Sequence, residues 1–421
     1  MEWTNKTIGD IAFVTKLAGF EHTKYIQGNC THERKDDSFI PLFIGKTVRD
    51  GRIDKNFDWY IPKSIADQLP RSFLKRKCLV LPYVGTIGDL AVFDASYDAL
   101  LGSNIAKIEL NPNCGYSEEF IYYYLKSPRG QTVLLKDEQG GIQKNITMEA
   151  IRNVLLPDVD ENNQKKIVSV LSALDDKIAL NKKMNQKLEA MAKRLYDYWF
   201  VQYDFPDKNG LPYKTTGGLM TYNPTLKREI PAGWEVDNLY AVANYINGLA
   251  CQNNRPKSGE NSFPVIKIRE MSEGITSDTE EVSENIPSKY IVENGDILFS
   301  WSATLMVMIW AGGKGGLNQH IFKVVPKEGC PKEFVYQLLS DYVVNFQQIA
   351  LSRKTTMGHI TSDHINLSRV VLPSEKILKQ YAEKVCPIFD KIVRNQVEFR
   401  KLTALRDKLL PLLMNGQVVA E

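Results

Sequence analysis

Apolar residues recur at alternating steps of four and three along residues 164–199, while charged residues occupy the other positions. A seam kept over this length is typical of a long helix that packs against another helix. The recurring positions are Ile167, Leu171, Leu174, Ile178, Asn181, Asn185, Leu188, Ala192, Leu195 and Trp199.

A second segment, 214 residues further along the chain, repeats this seam. Asn181 recurs as Asn395, and a buried seam amide favours one register at some cost in stability. We therefore predict that the two helices pair with each other. Pro387 and Pro411 leave open whether the second helix is continuous or runs only between them. The predicted pairing residues are Ile167, Leu171, Leu174, Ile178, Asn181, Leu188, Leu195, Ile388, Ile392, Asn395, Phe399, Leu402 and Leu409.

Each helix follows a copy of one domain, because matched residues recur at offsets of 214 to 231. A duplicated domain-plus-helix unit is the simplest explanation of such a repeat. Examples are Trp3 with Trp234, Pro41 with Pro264, Lys107 with Lys323, Ile146 with Ile360, and Pro157 with Pro373. The predicted segments are a first domain at 1–157, a first helix at 158–203, a linker at 204–233, a second domain at 234–373 and a second helix at 374–421.

Short apolar runs alternate with Gly- and Pro-containing turns in both domains, which favours a mixed α/β fold. Helices are predicted at residues 118–126 and 332–345. The linker is rich in Pro, Gly and Tyr without periodicity, so we expect it to lie on the surface. Strands are predicted at residues 40–44, 78–83, 89–93 and 105–110, and at 264–268, 296–301, 306–310 and 321–325.

Composition narrows the class of protein. Its 421 residues, 43% hydrophobic and 24% charged, are expected to form at least two soluble domains. No apolar run approaches the roughly 20 residues of a membrane span, and no signal pattern opens the chain, so a cytoplasmic location is expected. Six scattered cysteines without a C-x-x-C pair predict free, buried thiols.

The net charge of +3 is unevenly distributed. Residues 164–194 carry eight Lys/Arg against three Asp/Glu, and residues 378–408 carry eight against four. The remainder is therefore net acidic, so nucleic-acid binding outside the helices requires local basic clusters. The basic helix faces are open to three interpretations: a dock for partner proteins, a surface for DNA phosphates, or solvated charge.

Signatures of catalysis are missing from the sequence. It has no G-x-x-x-x-G-K-[ST] loop, no G-x-G-x-x-G after a strand, no H-E-x-x-H and no G-x-S-x-G elbow. The histidines form no metal-ligand pattern. We predict a chain without a catalytic site, metal or cofactor of its own.

Both domains instead carry polar loops after their strands, with side chains that suit DNA. Asn and Gln match adenine edges, Arg and Lys match guanine, and hydroxyls and glycine amides match phosphates. The predicted DNA-binding residues are Lys46, Tyr83, Gly85, Thr86, Ser103, Asn104, Gln143, Lys144, Arg269, Trp301, Ser302, Thr304, Asn318, Gln319, His320, Arg353, Lys354, Thr355, Thr356 and His359.

The whole chain resembles the specificity subunits of type I restriction-modification systems. The stretches that carry the resemblance are LSALDDKIALNKKMNQKLEAMAKRLYDYWFVQYDFP, NGLPYKTTGGLMTYNPTLKREIPAGW, GDILFSWSAT and GLNQHIFKV. The resemblance implies two target-recognition domains, an antiparallel coiled coil with pseudo-twofold symmetry, and no catalysis in this chain. It also implies double-stranded DNA as ligand and two modification subunits that methylate adenine with S-adenosylmethionine. Restriction subunits would add ATP- and Mg-dependent translocation and cleavage, a defence against foreign DNA.

The residues and the resemblance agree on a hypothesis: the chain binds a bipartite, asymmetric DNA sequence, one half per domain. A helix of about 36 residues spans roughly 54 Å at ~1.5 Å per residue, or ~36 Å between the two prolines. One duplex turn is about 34–36 Å, so helix length is expected to set the half-site spacing. One alternative is a coiled-coil adaptor for protein partners. A self-contained nuclease or methyltransferase would need a cofactor loop that the sequence lacks.

Overall fold

The structure is a computed structural model that describes residues 3–136, 144–352, 360 and 362–418. The chain divides into two compact units. Unit 1 comprises Met1–Asp176 with Thr403–Glu421, and unit 2 comprises Lys177–Leu402. The boundary thus falls inside both long helical segments, so each unit contains a piece of each.

Unit 1 is built on two four-stranded sheets. The first is antiparallel throughout, and in spatial order its strands are Ala12–Lys16, Ile105–Leu110, Cys78–Pro82 and Ala91–Phe93. The second contains one parallel pair at its centre, and its strands are Tyr60–Pro62, Phe39–Phe43, Ala99–Leu101 and Phe73–Leu74. A further pair, Trp3–Thr7 with Leu155–Pro157, joins the two ends of the domain.

Unit 2 repeats the topology of these two sheets and of the closing pair, whereas the short pair Val48–Arg49 with Arg52–Ile53 is described in unit 1 alone. Its antiparallel sheet runs Ala243–Asn247, Ile321–Pro326, Ile297–Ser300 and Met306–Ile309. Its second sheet runs Glu281–Ser283, Ser262–Ile266, Gly315–Leu317 and Ile291–Val292, again with a central parallel pair. The closing pair is Glu235–Asn238 with Arg369–Leu372. The predicted duplication of one mixed α/β domain is confirmed.

The eight predicted strands are present, with ends that differ by one or two residues, and the helix at 118–126 has the predicted bounds. The predicted 332–345 helix continues to Ser352. The segment 204–233 is more ordered than a bare linker, because Met220–Asn223 and Arg228–Pro231 form a hairpin. The other helices of four or more residues are Ile8–Ile11, Lys63–Ala66, Pro128–Leu134, Met148–Arg152, Ile268–Glu273 and Ser362–Leu367, with π-helical turns at His22–Ile26 and Asp197–Val201.

The two long helices run Glu161–Tyr196 and Glu375–Met414. Asp160 caps the first by accepting hydrogen bonds from the Asn162 and Asn163 N–H groups, each at 3.0 Å. The second helix is continuous through Pro387 and Pro411, so the shorter alternative is wrong.

Within unit 2 the two helices pack antiparallel, as predicted. Asn181 Nδ2 donates to Glu398 Oε2 at 3.1 Å, and Asn395 Nδ2 donates to Asn185 Oδ1 at 2.8 Å. Residue numbers in contact increase along the first helix, from 181 to 185, and decrease along the second, from 398 to 395, so the helices run in opposite directions. Asn181, Asn185 and Asn395 are all buried. In unit 1 the pieces of the same helices meet through Arg406 Nη1 and Asp175 Oδ1, 2.9 Å apart.

The predicted pairing residues differ in burial. Ile167, Leu171, Ile178 and Ile392 are buried along with the asparagines. Leu174, Leu188, Leu195, Ile388, Phe399, Leu402 and Leu409 are half-buried. Tyr196 and Phe389, one residue beyond Leu195 and Ile388, are the more deeply buried neighbours. The helices therefore bury a wider face toward their domains than a two-residue seam requires.

All six cysteines are free; Cys78 and Cys251 are buried and the other four are half-buried. Burial raises the pKa of the Cys78 thiol to about 12 and that of Cys251 to about 11. No helix in the described ranges is long and apolar enough to cross a membrane.

Candidate nucleic-acid interface

Unit 1 brings four loops together at one end of its sheets, and we call them cluster 1: residues 44–46, 83–86, 102–104 and 144–146. The Tyr83 N–H donates to the Asn104 carbonyl at 3.1 Å, and the Tyr83 carbonyl accepts from the Ile146 N–H at 2.8 Å. The Gly45 N–H donates to the Ser103 carbonyl at 3.1 Å. Backbone hydrogen bonds therefore hold together loops that are far apart in sequence.

Unit 2 builds the same arrangement, cluster 2, from residues 266–269, 301–304 and 318–320 with Ile360. The Trp301 N–H donates to the His320 carbonyl at 3.3 Å, and the Trp301 carbonyl accepts from the Ile360 N–H at 2.9 Å. These bonds match those of Tyr83 with Asn104 and Ile146. Trp301 is thus the structural counterpart of Tyr83, and His320 that of Asn104.

The turn after each aromatic residue takes a left-handed backbone conformation at the same place. Gly85 has φ +87° and Ala303 has φ +56°. Glycine adopts this region without strain, whereas alanine does so at a cost of about 1 kcal/mol or more. Retention of the conformation in Ala303 shows that the surrounding cluster imposes it.

Sequence reasoning missed one polar residue beside each aromatic side chain. The Lys16 ammonium lies 4.4 Å from the centroid of the Tyr83 ring. Asn247 Oδ1 accepts a hydrogen bond from Trp301 Nε1 at 3.0 Å. Both residues end the first strand of their sheet and are exposed. Their only sequence signal is their position at the end of a strand that pairs with the loop-bearing strand.

The predicted residues differ in what they expose. Lys46 is exposed and pairs with Asp58 at 2.5 Å, and Arg269 is exposed and donates to the buried Glu270 at 2.8 Å. Ser302 and Asn318 are buried and therefore shape their loops from inside. The other predicted residues that are exposed are Gly85, Thr86, Ser103, Asn104, Lys144 and Thr304. Gln143, Arg353, Lys354, Thr355, Thr356 and His359 lie outside the described residues.

Cluster 2 also contains two half-exposed side chains, Gln319 and His320. The His320 ring lies 5.7 Å from the Trp301 ring, and its Nε2 is 3.4 Å from Gln319 Nε2. His320 Nδ1 has no hydrogen-bond partner in the described part of the chain. In cluster 1, burial raises the pKa of the Tyr83 phenol, and the Asn104 backbone N–H, as a hydrogen-bond donor to the phenol, partly offsets this shift. The Tyr83 phenol therefore stays protonated and can donate at neutral pH.

Comparison with known proteins places this arrangement in a family. The sequence model of the type I restriction modification DNA specificity domain matches residues 1–190 and 231–401. The chain belongs to this family. The resemblance stated from the sequence is therefore confirmed, as is the fold class expected from it.

Two relatives of the specificity family extend the match. The type I restriction enzyme HindI specificity subunit of Haemophilus influenzae is 24% identical over 337 residues, 68% of this chain and 73% of its own. The MjaIX specificity subunit of Methanocaldococcus jannaschii is 26% identical over 320 residues, 74% and 71% of the two chains. The crystal structure of the type I S subunit from M. genitalium shares the fold, with a TM-score of 0.59, 16% identity and coverage of 98% and 96%.

As a member of the specificity family, the chain is a recognition subunit and not the catalytic part of a restriction system. Among the residues that the structure describes, no three His, Cys, Asp or Glu side chains are close enough to form a metal site. The chemical content of the site is hydrogen-bond donors, acceptors and aromatic faces, which is what base recognition uses.

Proposed function

We propose that the chain binds a bipartite, asymmetric sequence in double-stranded DNA, with each unit reading one half. One observation carries this proposal: both units assemble a loop cluster around an aromatic residue, Tyr83 or Trp301, held by matching backbone hydrogen bonds. A duplicated scaffold that presents exposed polar side chains at the same place twice fits two recognition events.

The two clusters differ in side chains, which is why we infer an asymmetric target. Both clusters expose a threonine, Thr86 or Thr304, but cluster 1 exposes Ser103 and Asn104 where cluster 2 presents Gln319 and His320. Different donors and acceptors prefer different base edges in the major groove. Identical half-sites would be expected from identical clusters.

We further infer that two methyltransferase subunits dock on this chain and supply S-adenosylmethionine-dependent adenine methylation. Restriction subunits that use ATP and Mg would complete the complex in the cytoplasm. The long helices support a docking or phosphate-binding role, because residues 164–194 and 378–408 carry net charges of +5 and +4 whereas the whole chain carries only +3.

Methylome mapping tests the proposal directly. A host that carries this gene with its neighbouring modification gene should methylate adenines in a single split sequence, and a host with this gene deleted should not. Selection from a random duplex library with the purified complex should enrich the same sequence. Methylation without a split motif, or no enrichment over the modification subunit alone, would favour the protein adaptor.

A further inference from the structure

Lys16 and Asn247 occupy one and the same position in the two units. Lys16 pairs with Ala106 on the neighbouring strand, and Asn247 pairs with Phe322. In each unit the next strand then leads into the aromatic residue, since Ile105 pairs with Pro82 and Ile321 pairs with Ser300. The two units therefore share the backbone position beside the aromatic ring, but the side chain there is a lysine in unit 1 and an asparagine in unit 2.

The Lys16 side chain contacts an aromatic ring and forms no ion pair with a residue that the structure describes. It is exposed, it lies over the Tyr83 ring at 4.4 Å, and no carboxylate in the described residues forms an ion pair with it. A cation over an aromatic face gains roughly 0.5–1 kcal/mol at an exposed site. This contact orients the ammonium group, whose three donors form no hydrogen bond with a described residue.

Asn247 is oriented more strictly than Lys16. Its Oδ1 accepts from Trp301 Nε1 at 3.0 Å, which fixes which end of the amide is oxygen. The two donors on Nδ2 have no partner within the described ranges. An amide held in this way keeps one acceptor lone pair and two donors for a ligand.

We propose that Lys16 and Asn247 are specificity-determining residues, each reading a base edge beside the aromatic residue of its unit. This inference rests on the proposed function. The Lys16 ammonium matches the O6 and N7 acceptors of guanine. The Asn247 amide matches adenine, since Nδ2 donates to N7 while the second Oδ1 lone pair accepts from the N6 amino group. Trp301 prevents the amide from reversing, so the preference has a fixed direction.

Two near-isosteric substitutions remove the readout and keep the local packing. Lys16→Met retains an unbranched stem over Tyr83 without the ammonium. Asn247→Asp retains the acceptor for Trp301 but replaces the amide donors by a carboxylate. Asn247→Ser is the second variant if the new charge perturbs folding, which the midpoint of thermal unfolding reports. Lys208→Met and Asn209→Asp, exposed residues outside both clusters, are the matched controls.

The experiment is selection from a random duplex library by the full complex with its modification subunits. Each variant should lose about 10- to 100-fold of its preference at one base pair, the usual size of a single base contact. Lys16→Met should change one half of the enriched motif, Asn247→Asp should change the other half, and the controls should change neither.

Three outcomes would overturn the inference. A folded variant that enriches the unchanged motif at unchanged affinity excludes base reading by that residue. A folded variant that keeps the motif but binds every sequence more weakly assigns the residue to a phosphate. If the wild-type complex enriches no split motif, the proposed function itself is wrong. This outcome is distinguishable from the other two because it is seen before any substitution is made.

Discussion

Glu260 organises the loop segment that follows Asn247 in unit 2. Its carboxylate accepts from the Lys257 N–H at 2.8 Å, from the Ser283 hydroxyl, and from Asn285 Nδ2 at 2.6 Å. These three hydrogen bonds, with the Lys257 N–H the largest cause, lower the pKa of Glu260 from 4.5 to about 2. A carboxylate that binds several donors favours its charged form.

Because the folded-state pKa lies below the unfolded one, Glu260 stabilises the chain fully above pH 4.5 and loses this contribution as the pH falls through about 2. Glu260→Gln should therefore lower the free energy of unfolding at neutral pH, and the difference from wild type should shrink as the pH falls below about 4.5. Urea unfolding across the reversible pH range measures it. The exposed Glu284→Gln is the control, and a pH-independent difference would contradict the assignment.

At the same scale, the sequence predicts the loops that form clusters 1 and 2 but not every side chain in them. Tyr83 and Trp301 are predicted to bind DNA because they follow apolar strands beside Gly and Ser residues, and this role stays a prediction. Lys16 and Asn247 were missed because each ends a separate strand, and strand pairing brings it to the aromatic residue. Burial of Ser302 and Asn318 was likewise hidden, since it depends on how the loops fold back.

At the scale of elements, a hydrogen-bonded asparagine pair lies in the helix seam of unit 2. Asn395 Nδ2 donates to Asn185 Oδ1 at 2.8 Å, and Asn185 Nδ2 donates to the Ile392 carbonyl at 3.1 Å. Asn395 is 1% exposed and Asn185 is 8% exposed. Loss of one partner would leave a buried polar group unsatisfied, whereas loss of both would not.

Asn395→Leu should accordingly lower the free energy of unfolding by about 1–3 kcal/mol, the usual cost of a buried unsatisfied group. The double variant Asn185→Leu/Asn395→Leu should recover most of this loss, because apolar residues of similar volume then face each other. Urea unfolding of the wild type, both single variants and the double variant completes the cycle. Additive losses in the double variant would show that the pair is not coupled, and the exposed Lys183→Leu controls for helix propensity.

The helix continues through Pro387 although the residue preferences of the sequence alone would favour a break there. An interior proline costs about 3 kcal/mol through its lost hydrogen bond and its ring clash. Around it, however, Tyr381, Val385, Phe389 and Ile392 are buried, and each contributes roughly 1.5–3 kcal/mol. Pro387 itself is exposed. Packing therefore outweighs the local cost, a balance that depends on tertiary contacts and could not be settled from residue preferences.

The hairpin within 204–233 was missed for a similar reason. Its strands lack a regular apolar alternation, so nothing in the pattern predicted them. The segment is instead ordered by aromatic stacking, with the Phe205 ring 4.8 Å from that of Trp234 and 4.6 Å from that of Tyr213. Asp204 adds hydrogen bonds from the Thr215 N–H at 2.8 Å and the Thr215 hydroxyl at 2.7 Å. Contacts between irregular segments produce no periodic pattern of residues, so they cannot be predicted from periodicity in the sequence.

At the scale of the whole molecule, the proposal requires that the two clusters act on separate halves of one target. Tyr83 contacts Asn104, Ile146 and Lys16 in unit 1, and Trp301 contacts His320, Ile360 and Asn247 in unit 2. If each residue reads its own half of the target, changes at the two positions should add in free energy. The relevant measurement is therefore a cycle between protein variants and DNA variants, in which each protein change is tested against loss of each half-site.

Tyr83→Ala should reduce affinity for the intact target by about 10- to 100-fold, as expected when base contacts are lost. It should also make binding less sensitive to further mutation of one half-site, while mutation of the other half still weakens binding by the wild-type factor. Trp301→Ala should show the opposite pattern. Tyr222→Ala removes a 61% exposed tyrosine outside both clusters and should change neither response. If Tyr83→Ala and Trp301→Ala lost sensitivity to the same half, the two units would share one half-site, and the division of recognition between them would be wrong.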